Sequence, residues 1–200
     1  MKIHIMLSYY ISLYYRIIFR LKKRKIEKIY DGNRVWFISD THFGHRNILK
    51  FGRYDTFHSI SQMDRTLIIN WNRSVKPRDR IYFLGDFGRM RYRYRRKLHG
   101  NIKGIKGNHD RITWSKQRIL QYNGLIFLLI HDPNDHTQWF FGDWIIHGHT
   151  HDKTPFIDIY RKRINVSCEV INYSPINFVE IYKQIQIAKL ANGNVQFKLN

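Results

Sequence analysis

The stretch "VWFISDTHFGH", Val35 to His45, decides how the rest of the chain is read. Four apolar residues, Val35 to Ile38, stop at Ser39, and Asp40, His42 and His45 follow within six positions. A short apolar run bounded by polar residues reads as a buried strand. Burying a carboxylate or an imidazole at its end without a partner is expensive. A bound cation would compensate both groups, and it would need further ligands from elsewhere in the chain.

Working outward, the turn signal Asp31-Gly32-Asn33 opens a chain that alternates strand, loop and helix. Val35 to Ser39 reads as the first strand, Ile81 to Leu84 as the second and Ile102 to Ile105 as the third. Ile126 to Ile130, "IFLLI", is the fourth, and Trp144 to Ile146 a short fifth. Ile60, Met63, Leu67, Ile68 and Trp71 recur at helical spacing, which predicts a helix over Ser59 to Val75. Arg91 to Leu98 reads as a short, very basic helix. The region from about 156 to 199 reads as further strands, at Ile164 to Val170, Phe178 to Ile187 and Val195 to Leu199.

The five early strands all end in polar residues of one chemical kind. The first ends in Asp40-Thr41-His42 and the second in Gly85-Asp86. The third runs into Gly107-Asn108-His109-Asp110, the fourth into His131-Asp132, and the fifth into His147-Gly148-His149-Thr150-His151. In a sheet with parallel strands the carboxyl ends share one edge, where loops form a ligand crevice. Two Asp, one Asn and several His would then converge. This oxygen-and-nitrogen set without thiolate suits Mn2+, Fe or Zn2+ at high coordination, not a tetrahedral thiolate zinc site. The candidates outnumber what one ion with an open position needs, so two ions sharing a carboxylate are the simplest account. Gly85, Gly107 and Gly148 each stand beside a candidate, where a sharp turn or close backbone approach is needed. His147 reads as a packed histidine and not as a ligand.

Composition bounds the rest. Two hundred residues, 43% hydrophobic and 16% aromatic, fit one globular domain with a sizeable core. A single cysteine, Cys168, excludes an intrachain disulfide, and a reducing cytoplasm is the expected setting. The formal charge of +20 implies attraction to polyanions. Residues 1–30 carry eight Lys/Arg against one Glu, so most of the excess belongs to residues 31–200. Residues 1–30 read as an apolar and basic N-terminal extension, and residues 31–200 as the domain. No small-residue cleavage site follows the apolar run of the extension, which argues against a signal peptide. Arg16 interrupts that run short of a membrane span. Two readings remain beside the span: packing on the protein or a partner, and contact with a membrane surface.

The ordered set "SDTH" (39–42), "GD" (85–86), "GNHD" (107–110), His131 and "GHTH" (148–151) resembles the calcineurin-like metallophosphoesterases. The longer segments "FISDTHFGHRNI" and "IYFLGDFG" are similar to a small, single-domain branch of that superfamily. The resemblance implies an α/β fold, a four-layer αββα sandwich of two mixed sheets flanked by helices, with a dinuclear centre between the sheets. It implies Asp40, His42 and His151 on one ion, Asn108, His131 and His149 on the other, Asp86 bridging both, and His109 as a catalytic histidine. Mn2+ is the first expectation, with Fe, Zn2+ or Ni2+ as alternatives. In one departure, many relatives have an acidic residue three positions after "GD", where this chain has Arg89.

The expected activity is hydrolysis of phosphate esters by water activated at the two ions, with phosphodiesters in nucleic acids or nucleotides favoured because of the net charge. A phosphomonoesterase and a non-catalytic binding scaffold of the same fold are the alternatives. His45 and Arg46 follow the first motif on a loop facing the crevice and are candidates for holding phosphate. Asp110 and Asp132 adjoin site residues and are candidates for orienting imidazoles from behind. "RMRYRYRRK" (89–97) alternates charge with stacking surface and is a candidate nucleic-acid contact.

Overall fold

Val35–Ile38 (β2) and Arg80–Phe83 (β3) run parallel in register, Phe37 beside Tyr82 and Ile38 beside Phe83. Their residues are buried on both faces, as parallel strands require. The structure is a computed structural model and describes residues 25–89, 91–135 and 142–196. In chain order the other elements are β1 (Ile26–Lys28), α1 (Ile60–Ser74), α2 (Arg91–Arg95), β4 (Asn101–Gly104), β5 (Gln117–Tyr122) and β6 (Leu125–Ile130). They continue with β7 (Trp144–His147), β8 (Ile157–Asp158), β9 (Arg163–Asn165), β10 (Ile176–Asn177) and α3 (Phe178–Gln196). One sheet has the order β10-β2-β3-β4 and the other β1-β5-β6-β7-β9-β8. Both are mixed: β2, β3 and β4 are parallel with β10 antiparallel, and β6, β7 and β9 are parallel with β5 and β8 antiparallel. This is the expected α/β architecture of two mixed sheets with helices.

The sheets meet through aromatic rings. Phe37 stacks on Tyr82 with centroids 5.5 Å apart, and Phe178 at the head of α3 touches Phe37 at 4.8 Å and Phe127 at 5.0 Å. Phe178 thus bridges β2 of one sheet and β6 of the other. On its opposite face the smaller sheet carries α1, with Trp71 lying 6.3 Å from Phe83. Ser59 caps α1 by accepting from the Gln62 amide at 3.1 Å, while the Gln62 side chain accepts from the His58 amide at 2.8 Å. Met63, Leu67 and Trp71, four residues apart, form the buried stripe of this helix. Trp71 Nε1 donates to the His99 carbonyl at 3.0 Å, so the ring is buried with its polar atom satisfied.

Several expectations need correction. Phe178 to Ile187 is helix, not strand: Phe178, Ile181 and Ile185 are fully buried at helical spacing, while Val179 and Ile187 are 36% and 49% exposed. Val195 begins the last expected strand but lies within α3, and residues 197–199 fall outside the described residues. The strand expected over Ile164 to Val170 is confined to β9, followed by a bridge from Ser167 to Ser39. β5 was not expected. The end of the proposed extension is part of the sheet, since Ile26–Lys28 pairs parallel with Ile119 to Gln121 of β5. Residues 1–24, which carry the membrane and packing readings, lie outside the described residues. Among the described residues no helix is long and apolar enough to cross a membrane.

Leu67→Ala should cost about 2–5 kcal/mol of stability, by the cavity it leaves beneath α1. Ile69→Ala, on the exposed face of the same helix, should change it by about 0.5 kcal/mol or less. Urea unfolding midpoints at constant m compare the two.

Candidate metal centre

The loops that follow the parallel strands hold their polar residues in an uncommon backbone conformation. Asp40 (φ 58°), His42 (φ 48°), Asp86 (φ 57°), His149 (φ 69°) and His151 (φ 49°) all lie in the left-handed region. Each such residue is costly and persists only where its surroundings over-determine it. Here the first two loops are laced together. The amides of Asp40, His42 and Phe43 donate to the carbonyls of Gly85, Asp86 and Phe87 at 2.9, 3.0 and 2.9 Å. Thr41 Oγ1 adds a bond to the Phe87 carbonyl at 2.9 Å.

Asp86 stands at the middle of the cluster. Its Oδ2 is 3.5 Å from His131 Nε2, 3.6 Å from His42 Nε2 and 4.0 Å from His109 Nε2. Asp40 Oδ1 is 3.9 Å from His151 Nε2. Asn108 Oδ1 lies 2.8 Å from His131 Nε2. The ligand-type atoms of Asp40, His42 and His151 fall within 4.8 Å of one another, as do those of Asp40, Asp86 and His131. His149 joins from the rim: its amide donates to Asp40 Oδ2 at 2.9 Å, its ring packs 5.1 Å from that of His131, and its Nε2 is 3.6 Å from Asp132 Oδ2.

Two features fit this cluster to divalent cations. Asp40 Oδ1 and His42 Nε2 are buried with no hydrogen-bond partner among the described residues, although both face the cluster. The histidines are also tied back through one nitrogen. His131 Nδ1 donates to the Leu84 carbonyl at 2.7 Å and His151 Nδ1 to Glu169 Oε1 at 2.8 Å, which turns each Nε2 toward the cluster, that of His131 against Asn108 Oδ1. Burial pushes the His42 pKa down to about 3 against the pull of Asp86, so the ring is neutral and able to ligate. For Asp86, burial would raise the pKa, but the His131 imidazole and the His109 amide outweigh it and hold the carboxyl ionised. His131 answers in the other direction. Burial disfavours its charge, yet Asp86 and Asp40 push its pKa up to about 9.

Over 167 residues the chain is 42% identical to uncharacterized protein MJ1445 of Methanocaldococcus jannaschii, across 78% of this chain and 94% of that protein. A crystal structure of a protein of unknown function, AQ665 of Aquifex aeolicus, matches with a TM-score of 0.61 and 28% identity over 76% of this chain and 98% of that one. A solved archaeal phosphodiesterase resembles it more loosely, with a TM-score of 0.43 and 18% identity over 68% of this chain and 84% of that one. No protein-family model matches the chain. The chain belongs to the same family as protein MJ1445.

Around this cluster, the remaining candidates separate. His109 has a 62% exposed side chain and lines an open cleft beside the cluster, together with His45. Arg46 is exposed and is not among the residues lining that cleft. Asp110 does not orient an imidazole. Its carboxylate accepts from the amides of Asp86, Phe87 and Gly107 at 2.9, 3.0 and 2.9 Å, which fixes the loop carrying Asp86. Asp132 does face an imidazole, that of His149. His147 is buried, bonded through Nδ1 to the Gly148 carbonyl at 2.8 Å, with its pKa pushed down to about 4 by burial. Gly107 and Gly148 are required by proximity. A Cβ on Gly107 would strike the Asp86 carboxylate and amide, and one on Gly148 would strike Ser39 Oγ and Asp40 Oδ2.

Two supporting residues were not anticipated. Arg53, with a fully buried side chain, donates through Nε to Glu169 Oε1 at 2.7 Å and reaches the carbonyls of Asp40 and Thr41. Glu169 therefore joins this arginine to His151. Burial alone would raise its pKa, but His151 and Arg53 bring it down to about 2. The only signal in the sequence is an isolated acid in the run "INVSCEVI".

Because His131 is protonated in the metal-free protein below pH about 9, a cation must displace that proton. Cation affinity should therefore rise with pH up to about 9 and then level off. Titration calorimetry at neutral pH in buffers of different ionisation heat should show net proton release on cation binding. Glu169→Ala should weaken cation binding about 10–100-fold in a chelator-competition titration, since His151 loses the acceptor that aims it.

Proposed function

We propose that this chain is a metal-dependent phosphoesterase that hydrolyses phosphodiesters. The observation that carries the reading is the pair of buried donor clusters, with partnerless Asp40 Oδ1 and His42 Nε2, at the edge of an open cleft of ≈540 Å³. Asp40, His42 and His151 would hold one divalent cation, Asn108, His131 and His149 a second, and Asp86 both. When bound, such a pair supplies an acidified water and charge stabilisation for phosphoryl oxygens. The oxygen-and-nitrogen donor set favours Mn2+, with Fe, Zn2+ or Ni2+ as alternatives.

The remaining steps belong to side chains of the cleft. The backbone amide of His109 donates to Asp86 Oδ1 at 2.9 Å, which ties the histidine to the centre of the cluster while its ring stays open to the cleft. In this reading His109 delivers a proton to the departing alkoxide. The His45 ring lies 6.4 Å from that of His109 and faces the same space, where it donates to a phosphoryl oxygen. His42, 5.7 Å from the His109 ring, closes the buried side. The net charge of +20 supports anionic diesters over neutral esters.

Metal-loaded protein should turn over bis-p-nitrophenyl phosphate faster than p-nitrophenyl phosphate. Asp86→Asn, which tolerates the left-handed backbone, should lower kcat/KM by more than the about 10–100-fold that loss of an outer partner costs. Activity that survives this substitution would remove Asp86 from the centre of the mechanism.

A further inference from the structure

The cleft beside the cluster is lined by Arg89, Arg91 and Arg111 as well as by His45 and His109. Arg89 lies in the loop after β3, Arg91 opens α2, and Arg111 lies in the loop after β4. None of the three is ion-paired among the described residues, whereas Arg34, Arg53, Arg80 and Arg161 each have a carboxylate. The acid that shares the cleft, Asp110, has both oxygens engaged by backbone amides. Arg91 is steadied by the Trp114 ring, 5.4 Å from its guanidinium carbon, and Trp114 in turn packs on Phe83 and Phe87 at 5.7 and 6.2 Å.

Arg95, Arg96 and Tyr94 of the basic run are engaged within the domain, and Arg93 and Lys97 line a different surface depression. Arg95 donates to the carbonyls of Leu98 and Gly100 at 3.0 and 2.9 Å and so closes the turn after α2. Arg96 lies over Tyr92 at 5.6 Å. Tyr94 turns inward, bonding Asp64 at 2.6 Å and stacking on Phe43 at 4.8 Å. The alternation of Arg and Tyr thus does not present one continuous binding face. Arg89 and Arg91 are the members of the run that line the cleft beside the cluster.

Three unpaired guanidinium groups around one cleft repel each other and are matched by phosphate, which they bind by charge-assisted hydrogen bonds. The scissile phosphate is already provided for at the buried cluster. We infer that Arg89, Arg91 and Arg111 form a second phosphate subsite, so that the substrate carries at least one phosphate beyond the one hydrolysed. That chemistry belongs to a nucleotide bearing two phosphates or to a nucleic-acid strand. The inference rests on the phosphoesterase reading of the adjoining cluster.

The test uses two esters that differ by one group: thymidine 5′-(p-nitrophenyl phosphate) and the same ester carrying a 3′-phosphate. Metal-loaded wild-type protein should prefer the second by about tenfold in kcat/KM, a difference of about 1.4 kcal/mol. Arg89→Ala, Arg91→Ala and Arg111→Ala should each erode that ratio, while Arg161→Ala, on an exposed loop, should keep it. A wild-type ratio near unity, or one unchanged in all three variants, overturns the subsite. If wild-type protein holds metal but hydrolyses neither ester, the phosphoesterase reading fails, and binding decides the subsite separately. Thymidine 3′,5′-bisphosphate should then displace a labelled oligothymidylate about tenfold better than thymidine 5′-phosphate does, an advantage the variants lose. Equal competition overturns the subsite. An oligonucleotide that binds more tightly than the bisphosphate, with a salt slope reduced by about one per arginine removed, identifies the strand as the source. Equal affinity identifies the small nucleotide.

Discussion

The side chains of Asp40 and Asp86 are two buried carboxylates whose donor atoms share one small volume. Like charges so placed repel, and burial removes the water that would screen them. Their surroundings are arranged to offset that cost. The amides of His149 and His109 donate to one oxygen of each acid, Ser167 Oγ adds a bond to Asp40 at 3.1 Å, and imidazoles face the other oxygens. What stays uncompensated, Asp40 Oδ1 beside His42 Nε2, is the part of the site that calls for a cation.

The scaffold behind these acids is built with equal economy. Arg53 fills the space under the first loop and meets two of its carbonyls, while its charge is balanced by Glu169, which in turn holds His151. One buried ion pair therefore sets both a backbone turn and the aim of a histidine from the other sheet. The left-handed residues fit the same logic. A short loop can place several donors on one point only by unusual backbone angles, and neighbouring strands and glycines supply the room.

Much of this was legible in the sequence because the donors follow apolar strands directly. β2, β3, β6 and β7 are short runs of Val, Ile, Leu, Phe, Trp and Tyr, and the polar residues after them mark their ends. β5 escaped notice because Gln117, Arg118 and Gln121 interrupt its apolar residues. α3 was misread because two exposed apolar residues, Val179 and Ile187, masked the buried stripe. Glu169 and Arg53 left no trace in spacing: they lie 116 residues apart and acquire meaning only when the sheets come together. Arg89 was visible as an oddity in "GDFGR", but its place in the cleft depends on a turn that leaves Arg95 and Tyr94 engaged internally.

The bonds to Asp40 come from residues 109 and 127 positions further along the chain. Contacts of such separation form late, after the entropy of closing long loops has been overcome. The smaller sheet by itself brings Asp40, His42, Asp86 and Asn108 to one edge, and the larger sheet supplies His131, His149 and His151. A cation held by the full cluster would therefore bind the two sheets to each other, and its binding energy would count toward their docking.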